Sequence, residues 1–437
     1  MAVNTRSADL MGWCAFLLGI GVVVFAIAVT CHSYIPCPFW DEWVVVADIG
    51  SGKGPTHLAW LWSQQNEHRL AIPRLLVWLD LVAFHGRNVS LFIEILGVQV
   101  LHWAALCFVV ERFTRAPVSV KRSIQGLFGF CLFHPNQLEN FTWAFQIGFV
   151  LPFALATLAL ILIAFFSRWR RPVLAVIIAG GMPILAALNL AGGLVIGPVV
   201  VGIAWCKRTR AWVGAMLTAI WFASAAGYLY GYHRAGTDLP PCAAILQGRK
   251  LFLYVLTYFG ASWTRLLPHK ERLIAFASIL IFAAILGRAL RRRRGGVSDL
   301  EWLLLGECGL TIAIALLTAF GRIQFGEGQA FAGRYQTPAM IYWAALGSLL
   351  LLLAYEKRPS RFHVVQAMLL GGMLASVLTF PGIWGSTTAR ADELRIACRA
   401  VMGPQFDVHA ASKLYENTTV VKEGREFLRR KWRTARK

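Results

Sequence analysis

Charge is what this 437-residue sequence has least of. Only 15% of its residues are Asp, Glu, Lys or Arg, against about 25% in an average soluble domain. Acids are scarcest, at 22 against 43 Lys and Arg, while 57% of the chain is hydrophobic. Uncharged apolar runs long enough to cross a bilayer as helices recur along it. These proportions exclude a soluble globular protein, a disordered chain and a secreted disulfide scaffold. Internal repeats, low-complexity stretches and the inverted halves of many transporters are missing too. The nine cysteines have no metal-ligand spacing. Cys14, Cys107, Cys131, Cys206 and Cys308 lie within apolar runs. Cys31, Cys37, Cys242 and Cys398 fall in loops, where one or two disulfides can form if those loops face an oxidising compartment. The chain reads as an all-α polytopic integral membrane protein.

A net charge of +21 in a soluble protein would suggest nucleic acid; here it implies none. Eighteen of the 43 basic residues sit in five short clusters between apolar runs. These are Arg112, Arg115, Lys121 and Arg122; Arg168, Arg170 and Arg171; Lys207, Arg208 and Arg210; Arg288 with Arg291 to Arg294; and Lys357, Arg358 and Arg361. Such clusters mark cytoplasmic loops, so an even number of crossings separates each neighbouring pair. Residues 10–30 form an uncleaved anchor with the N-terminus inside, and 91–110 return the chain. Runs 123–134 and 144–166 follow. Residues 173–206, broken at Asn189-Leu190-Ala191-Gly192-Gly193, make two short helices or a re-entrant hairpin. Runs 211–231 and 272–290 cross, while 249–266 between them lies along the outer interface, since a third crossing would put Arg291 to Arg294 outside. Runs 302–320, 336–354 and 362–380 complete about eleven crossings. Residues 1–384 are thus a membrane domain, with 31–90 its first outer loop. Parity places the 385–437 tail outside, although its twelve Lys and Arg argue for the cytoplasm.

The loops assigned to the outer face hold nearly all the unusual polar residues. Trp40-Asp41-Glu42-Trp43 directly follows the anchor. A carboxylate held against an apolar wall gains a raised pKa and can act as a general base; solvated acids in an aromatic belt are the alternative. Adjacent side chains diverge, so one of the pair acts, or Asp41 ligates a divalent cation (Mg or Mn). Asn66-Glu67-His68-Arg69 precedes an amphipathic stretch, Leu70 to Phe84, suited to an interfacial helix whose N-terminal end favours an anion. Arg74 and Asp80 within it suit a surface pair. Asn136, Gln137, Glu139, Asn140 and Gln146 with Trp143 form an amide-rich loop, either a carbohydrate-binding surface or ordinary turn capping. A fourth loop contains His233, Arg234 and Asp238. Arg322 and Arg334 flank a glycine-rich loop containing Glu327, where bidentate guanidinium groups suit phosphate or simply snorkel. Tyr335 positions a sugar or marks the interface.

An Asp-Glu pair in the first outer loop, followed by a short interfacial helix, resembles the GT-C superfamily of membrane glycosyltransferases, which includes protein O-mannosyltransferases and lipid A aminoarabinose transferases. The four motifs Trp40 to Trp43, Asn66 to Arg69, Asn140-x-x-Trp143-x-x-Gln146 and Arg334-Tyr335 also resemble a group of uncharacterised bacterial membrane proteins. The pattern spans about residues 10 to 355. The superfamily resemblance implies an acid of this loop as base or metal ligand. It also implies transfer of a sugar from a polyprenyl-phosphate-linked donor to an extracytoplasmic glycan, lipid or protein, in the bacterial inner membrane. Asp41 or Glu42 would deprotonate the acceptor, with Glu67 and His68 orienting it. Arg69, Arg322 and Arg334 would neutralise the phosphate, and Asn140 and Tyr335 would contact substrate. The rivals are a transporter or flippase of lipid-linked sugars, and a surface-polysaccharide polymerase or ligase. Transporters favour ionisable residues near the midplane, for which Glu94 and Glu307 are the scarce candidates.

Overall fold

A helix satisfies its own backbone hydrogen bonds, so apolar runs meant for lipid fold as helices. In the computed structural model, residues 5–233, 245–292, 296–357 and 359–434 are described. Arg234, Asp238, Cys242, Arg293, Arg294 and Arg358 lie outside them. The chain begins with α1 (Thr5–His32), α2 (Glu42–Gly50) and α3 (Leu58–Trp62). A minimal hairpin, β1 (Gln64–Gln65) and β2 (His68–Arg69), leads into α4 (Ala71–Ala83) and α5 (Val89–Phe113). Then come α6 (Val118–Leu132), α7 (Leu138–Thr142), α8 (Ile147–Ala164), α9 (Pro172–Ala187), α10 (Ile196–Cys206) and α11 (Ala211–Leu229). The second half comprises α12 (Gly248–Gly260), α13 (Glu271–Arg291), α14 (Asp299–Arg322), α15 (Gln336–Lys357) and α16 (Pro359–Val377). Three tail helices close the chain: α17 (Phe380–Met402), α18 (Val408–Leu414) and α19 (Thr418–Thr434).

Among the described residues, seven helices are long and apolar enough to cross a membrane, or eight if the pair Arg361–Val377 and Phe380–Met402, bent by 41°, is one span. The seven include neither α6, with 15 residues, nor the apolar Pro172–Ala187 and Ala191–Cys206, which meet at the Asn189 turn. The Gly248–Gly260 helix has only 13 residues.

Salt bridges and ring contacts gather the five basic clusters at one end of the bundle. Arg168 and Lys207 both bind Asp299 at the start of α14. Arg288 and Arg292 share Glu356, at 3.1 and 3.7 Å. Phe113, beside Arg112, packs on Phe165 and Trp169. From Asp299, α14 runs 24 residues, about 36 Å at 1.5 Å per residue, to Arg322 at the opposite end.

Close packing of α1 on α6 sets the centre of the bundle. A Cβ on Gly126 would lie 2.3 Å from the Ala15 carbonyl oxygen, and one on Gly19 would lie 2.5 Å from that of Gly126. Without a hydrophobic drive between helices in lipid, such backbone approach supplies the packing energy.

The 385 boundary expected from sequence falls within the second turn of α17, and the tail is folded onto the first loop. Trp43, Val46, Leu81 and Leu91 share a second apolar core with Leu394, Val401, Leu414 and Leu428. Cys37 and Cys398 form a disulfide with Cα atoms 6.3 Å apart. Arg395 donates to the carbonyls of Tyr34 and His32.

Replacing Gly126 with Val should force α1 and α6 apart. The expected loss is about 1–3 kcal/mol, measured as a lower thermal midpoint of the purified protein and reduced yield in membranes.

Candidate active site

Two adjacent carboxylates follow α1, and the backbone sends them in opposite directions. Trp40 holds a left-handed φ of 52° and donates its N–H to the Leu414 carbonyl at 2.8 Å. Asp41 then takes the N-cap position of α2 without spending its side chain on a capping bond. Glu42 turns inward. Its carboxylate accepts from Phe39 N–H at 3.2 Å, Asn88 Nδ2 at 2.9 Å and Phe145 N–H at 2.8 Å. Burial pushes the Glu42 pKa up to about 8, with those three donors pulling the other way.

The hairpin carries the next group. Asn66 at its tip, with φ 52°, reverses the chain so that Glu67 and His68 stand together. His68 Nδ1 accepts from the Ala191 N–H at 3.3 Å, docking the hairpin on the Asn189 turn. That assigns the ring proton to Nε2, 3.4 Å from Glu67 Oε1. The same Glu67 oxygen binds Arg322. Burial pulls the His68 pKa down to about 4, so the ring is neutral near pH 7.

Asp41, His68, Arg322 and Arg334 line one cavity of about 310 Å³ at the end of the bundle opposite the basic clusters. Trp40, Trp143, Phe149 and Tyr415 supply aromatic walls. Gln65, Gln146 and Asn189 also line it, and their amide oxygens are buried with no hydrogen-bond partner among the described residues. Gln146 is 2% exposed and Asn189 fully buried, and a buried acceptor left unsatisfied is costly. A ligand rich in hydroxyl donors, with an apolar face for the rings, complements this lining. Burial raises the Asp41 pKa; Glu416 raises it further, and nearby Arg334 opposes both.

Several residues expected at the site serve the scaffold instead. Arg69 is buried, and its guanidinium donates to the carbonyls of Tyr228 (2.9 Å), Trp62 (2.6 Å) and Tyr230 (2.7 Å). Each of its three nitrogens is bonded to a backbone oxygen, and, contrary to its expected place at the site, it does not line the cavity. Arg74 and Asp80 are buried and do not pair. Arg74 holds the Trp60 and Ser63 carbonyls, and Asp80 accepts from the N–H groups of Asn88 and Ser90 at the start of α5. Asn140 is likewise buried below the cavity, donating to Thr337 Oγ1 (2.8 Å) and the Arg334 carbonyl (3.2 Å). It holds the Arg334 backbone and does not line the cavity. Tyr335 is buried in a stack with Tyr258 at 5.6 Å, and Glu327 pairs with Arg272 at 2.8 Å. Asn136 and Gln137 bind the carbonyls of Ser262 and Cys131.

Sequence reasoning missed Tyr415 and Glu416, which the tail brings in from the far end of the chain. For a cation at Asp41 the donor set fits poorly. Among the described residues no three His, Cys, Asp or Glu side chains cluster as ligands, and the nearby Arg334 already acts on Asp41 as a positive charge. No family model and no curated protein matches the chain.

The two acids should therefore separate in stability measurements. Glu42→Gln turns an amide N–H₂ toward at least one of the three donors and should cost about 1–3 kcal/mol. Asp41→Asn removes a half-buried charge and should leave the thermal midpoint unchanged or slightly raised.

Proposed function

We propose that this protein is a membrane glycosyltransferase of GT-C type, moving a sugar from a polyprenyl-phosphate-linked donor to an extracytoplasmic acceptor. The carrying observation is the cavity itself, which joins an unspent carboxylate, two arginines, aromatic walls and three amide side chains. Asp41 accepts the proton of the acceptor hydroxyl as that oxygen bonds to the anomeric carbon. The bond from that carbon to the phosphate oxygen breaks, and its electron pair leaves on the polyprenyl phosphate. Arg334 offsets the charge that develops there, and Arg322 lines the same cavity beside the acceptor. Neutral His68 and Glu67 fix Arg322 and shape the acceptor side. Two further features support an outward-facing site. The basic clusters at the opposite end suit the cytoplasmic face, and the Cys37–Cys398 disulfide beside the cavity suits an oxidising compartment. On this reading α6, α9, α10 and α16 cross with the seven longer helices, giving eleven.

A flippase is the second reading, favoured by polar groups within the bundle: fully enclosed Glu307 on α14, and the 2.8 Å bond from His102 to Thr157. Intramembrane ionisable residues commonly mark transport paths. Reconstituted protein given a lipid-linked sugar separates the two. Transfer releases free polyprenyl phosphate, whereas vectorial movement of intact donor without release supports the flippase.

Asp41→Asn should cut transfer by about 10²–10⁴-fold without loss of folded protein. The pH profile gives a second check. A base works only when ionised, so activity is full above the Asp41 pKa and falls as pH drops through it. Because that pKa is raised, the fall begins at higher pH than for an ordinary aspartate. Glu416→Gln should move the acid limb to lower pH, and Arg334→Gln should move it to higher pH. Identical limbs in all three proteins would remove Asp41 from the role.

A further inference from the structure

A second cavity, of about 400 Å³, lies on the other side of the wall made by Trp40, Trp143 and Arg334. Those three residues line both spaces; Asp41, His68 and Arg322 line only the first. The floor of the second comes from α17, through Ser386, Thr387 and Arg390. Ser33, fully buried at the end of α1, also lines it and has no partner for its Oγ among the described residues. Two guanidinium groups from distant parts of the chain thus approach one space. Arg390 is half-exposed, held by Glu393 in an i,i+3 surface pair, a contact worth little in water. Among the described residues, Arg334 has Glu139, at 3.9 Å, as its one salt-bridge partner, and Glu139 is the one acid lining the second cavity.

An apolar groove opens close by. It lies between α6, α15 and α16, with Leu127, Met340, Leu350 and Leu369 along it, and holds about 180 Å³. Its polar end is the 2.7 Å contact of His134 with Ser376. Phe380 packs on Phe130 and His134 there, and six residues further along α17, about 9 Å, Ser386 enters the second cavity.

We propose that the second cavity is the phosphate subsite of a prenyl phosphate, whose chain lies in the α6–α15–α16 groove, and that the first cavity takes the acceptor. Arg334 and Arg390 clamp the phosphate from two sides, with the Ser33 hydroxyl as an added donor. Arg322, tied to Glu67, belongs to the acceptor side, and the Trp40–Trp143–Arg334 wall is where the sugar changes hands. This division of labour rests on the transferase reading.

The test is binding of farnesyl phosphate to the purified full-length protein, with farnesol and inorganic phosphate as the other probes. Arg390→Gln should weaken farnesyl phosphate by about tenfold or more while leaving farnesol binding unchanged. Arg322→Gln should leave farnesyl phosphate within about twofold. Leu369→Trp, which fills the groove, should weaken farnesyl phosphate and farnesol together. Loss of farnesyl phosphate binding in Arg322→Gln but not in Arg390→Gln would put the phosphate in the first cavity and overturn the proposal. Inorganic phosphate binding as tightly as farnesyl phosphate, with Leu369→Trp silent, would overturn it as well. Asp41→Asn keeps this proposal separable from the transferase reading. If it abolishes transfer while binding ignores Arg390, the subsite assignment alone fails. If it leaves transfer intact while Arg390→Gln loses the ligand, the phosphate site stands and the proposed chemistry falls.

Discussion

Three stretches of chain meet on the carboxylate of Glu42: the turn at Phe39, the start of α5 at Asn88, and the link at Phe145 that leads into α8. A buried carboxyl group is tolerated only where hydrogen bonds replace the water it has lost. Here the replacement fixes the relative positions of the first loop and two helices. It also frees the neighbouring acid. Because Glu42 fills the inward position and Asp41 caps α2 through its backbone alone, the Asp41 side chain is left for the cavity.

Arg69 and Arg74 extend the same logic to positive charge. Both are buried, and both direct their N–H groups at main-chain carbonyls near the ends of helices, where oxygens lack intrahelical partners. An irregular loop at a membrane surface leaves many such oxygens bare. One guanidinium satisfies several of them at once, which an ammonium cannot do in a fixed plane. The loop is thereby rigid enough to hold His68 and Glu67 against the Asn189 turn.

Much of the architecture was legible from hydrophobicity alone. The apolar runs became helices close to their expected bounds, and the stretch from Leu70 to Phe84 folds as Ala71–Ala83. The 173–206 run divides at Asn189 because Asn and paired glycines break a helix where apolar residues do not. Four of the eleven expected crossings rest on α6, α9, α10 and α16, none of which is among the seven long spans. For the site, the gathering of Asp41, His68, Arg322 and Arg334 could be anticipated from their shared loop face. Which polar side chain would point inward could not. Arg69 and Arg322 look alike in a sequence, yet one is claimed by carbonyls 160 residues away in the chain and the other by a carboxylate at the cavity rim. The Tyr415–Glu416 wall was invisible because long-range docking of the tail leaves no local pattern.

That docking has a consequence for the order of biosynthesis. Asp41 enters the translocation machinery early, whereas Tyr415 and Glu416 follow more than 370 residues later, and Cys37 must wait for Cys398 before it can be oxidised in this pairing. A half-made chain therefore carries the acid but not the enclosure. The chamber forms only after the whole bundle has been threaded, so a truncated or stalled product is born open and incomplete.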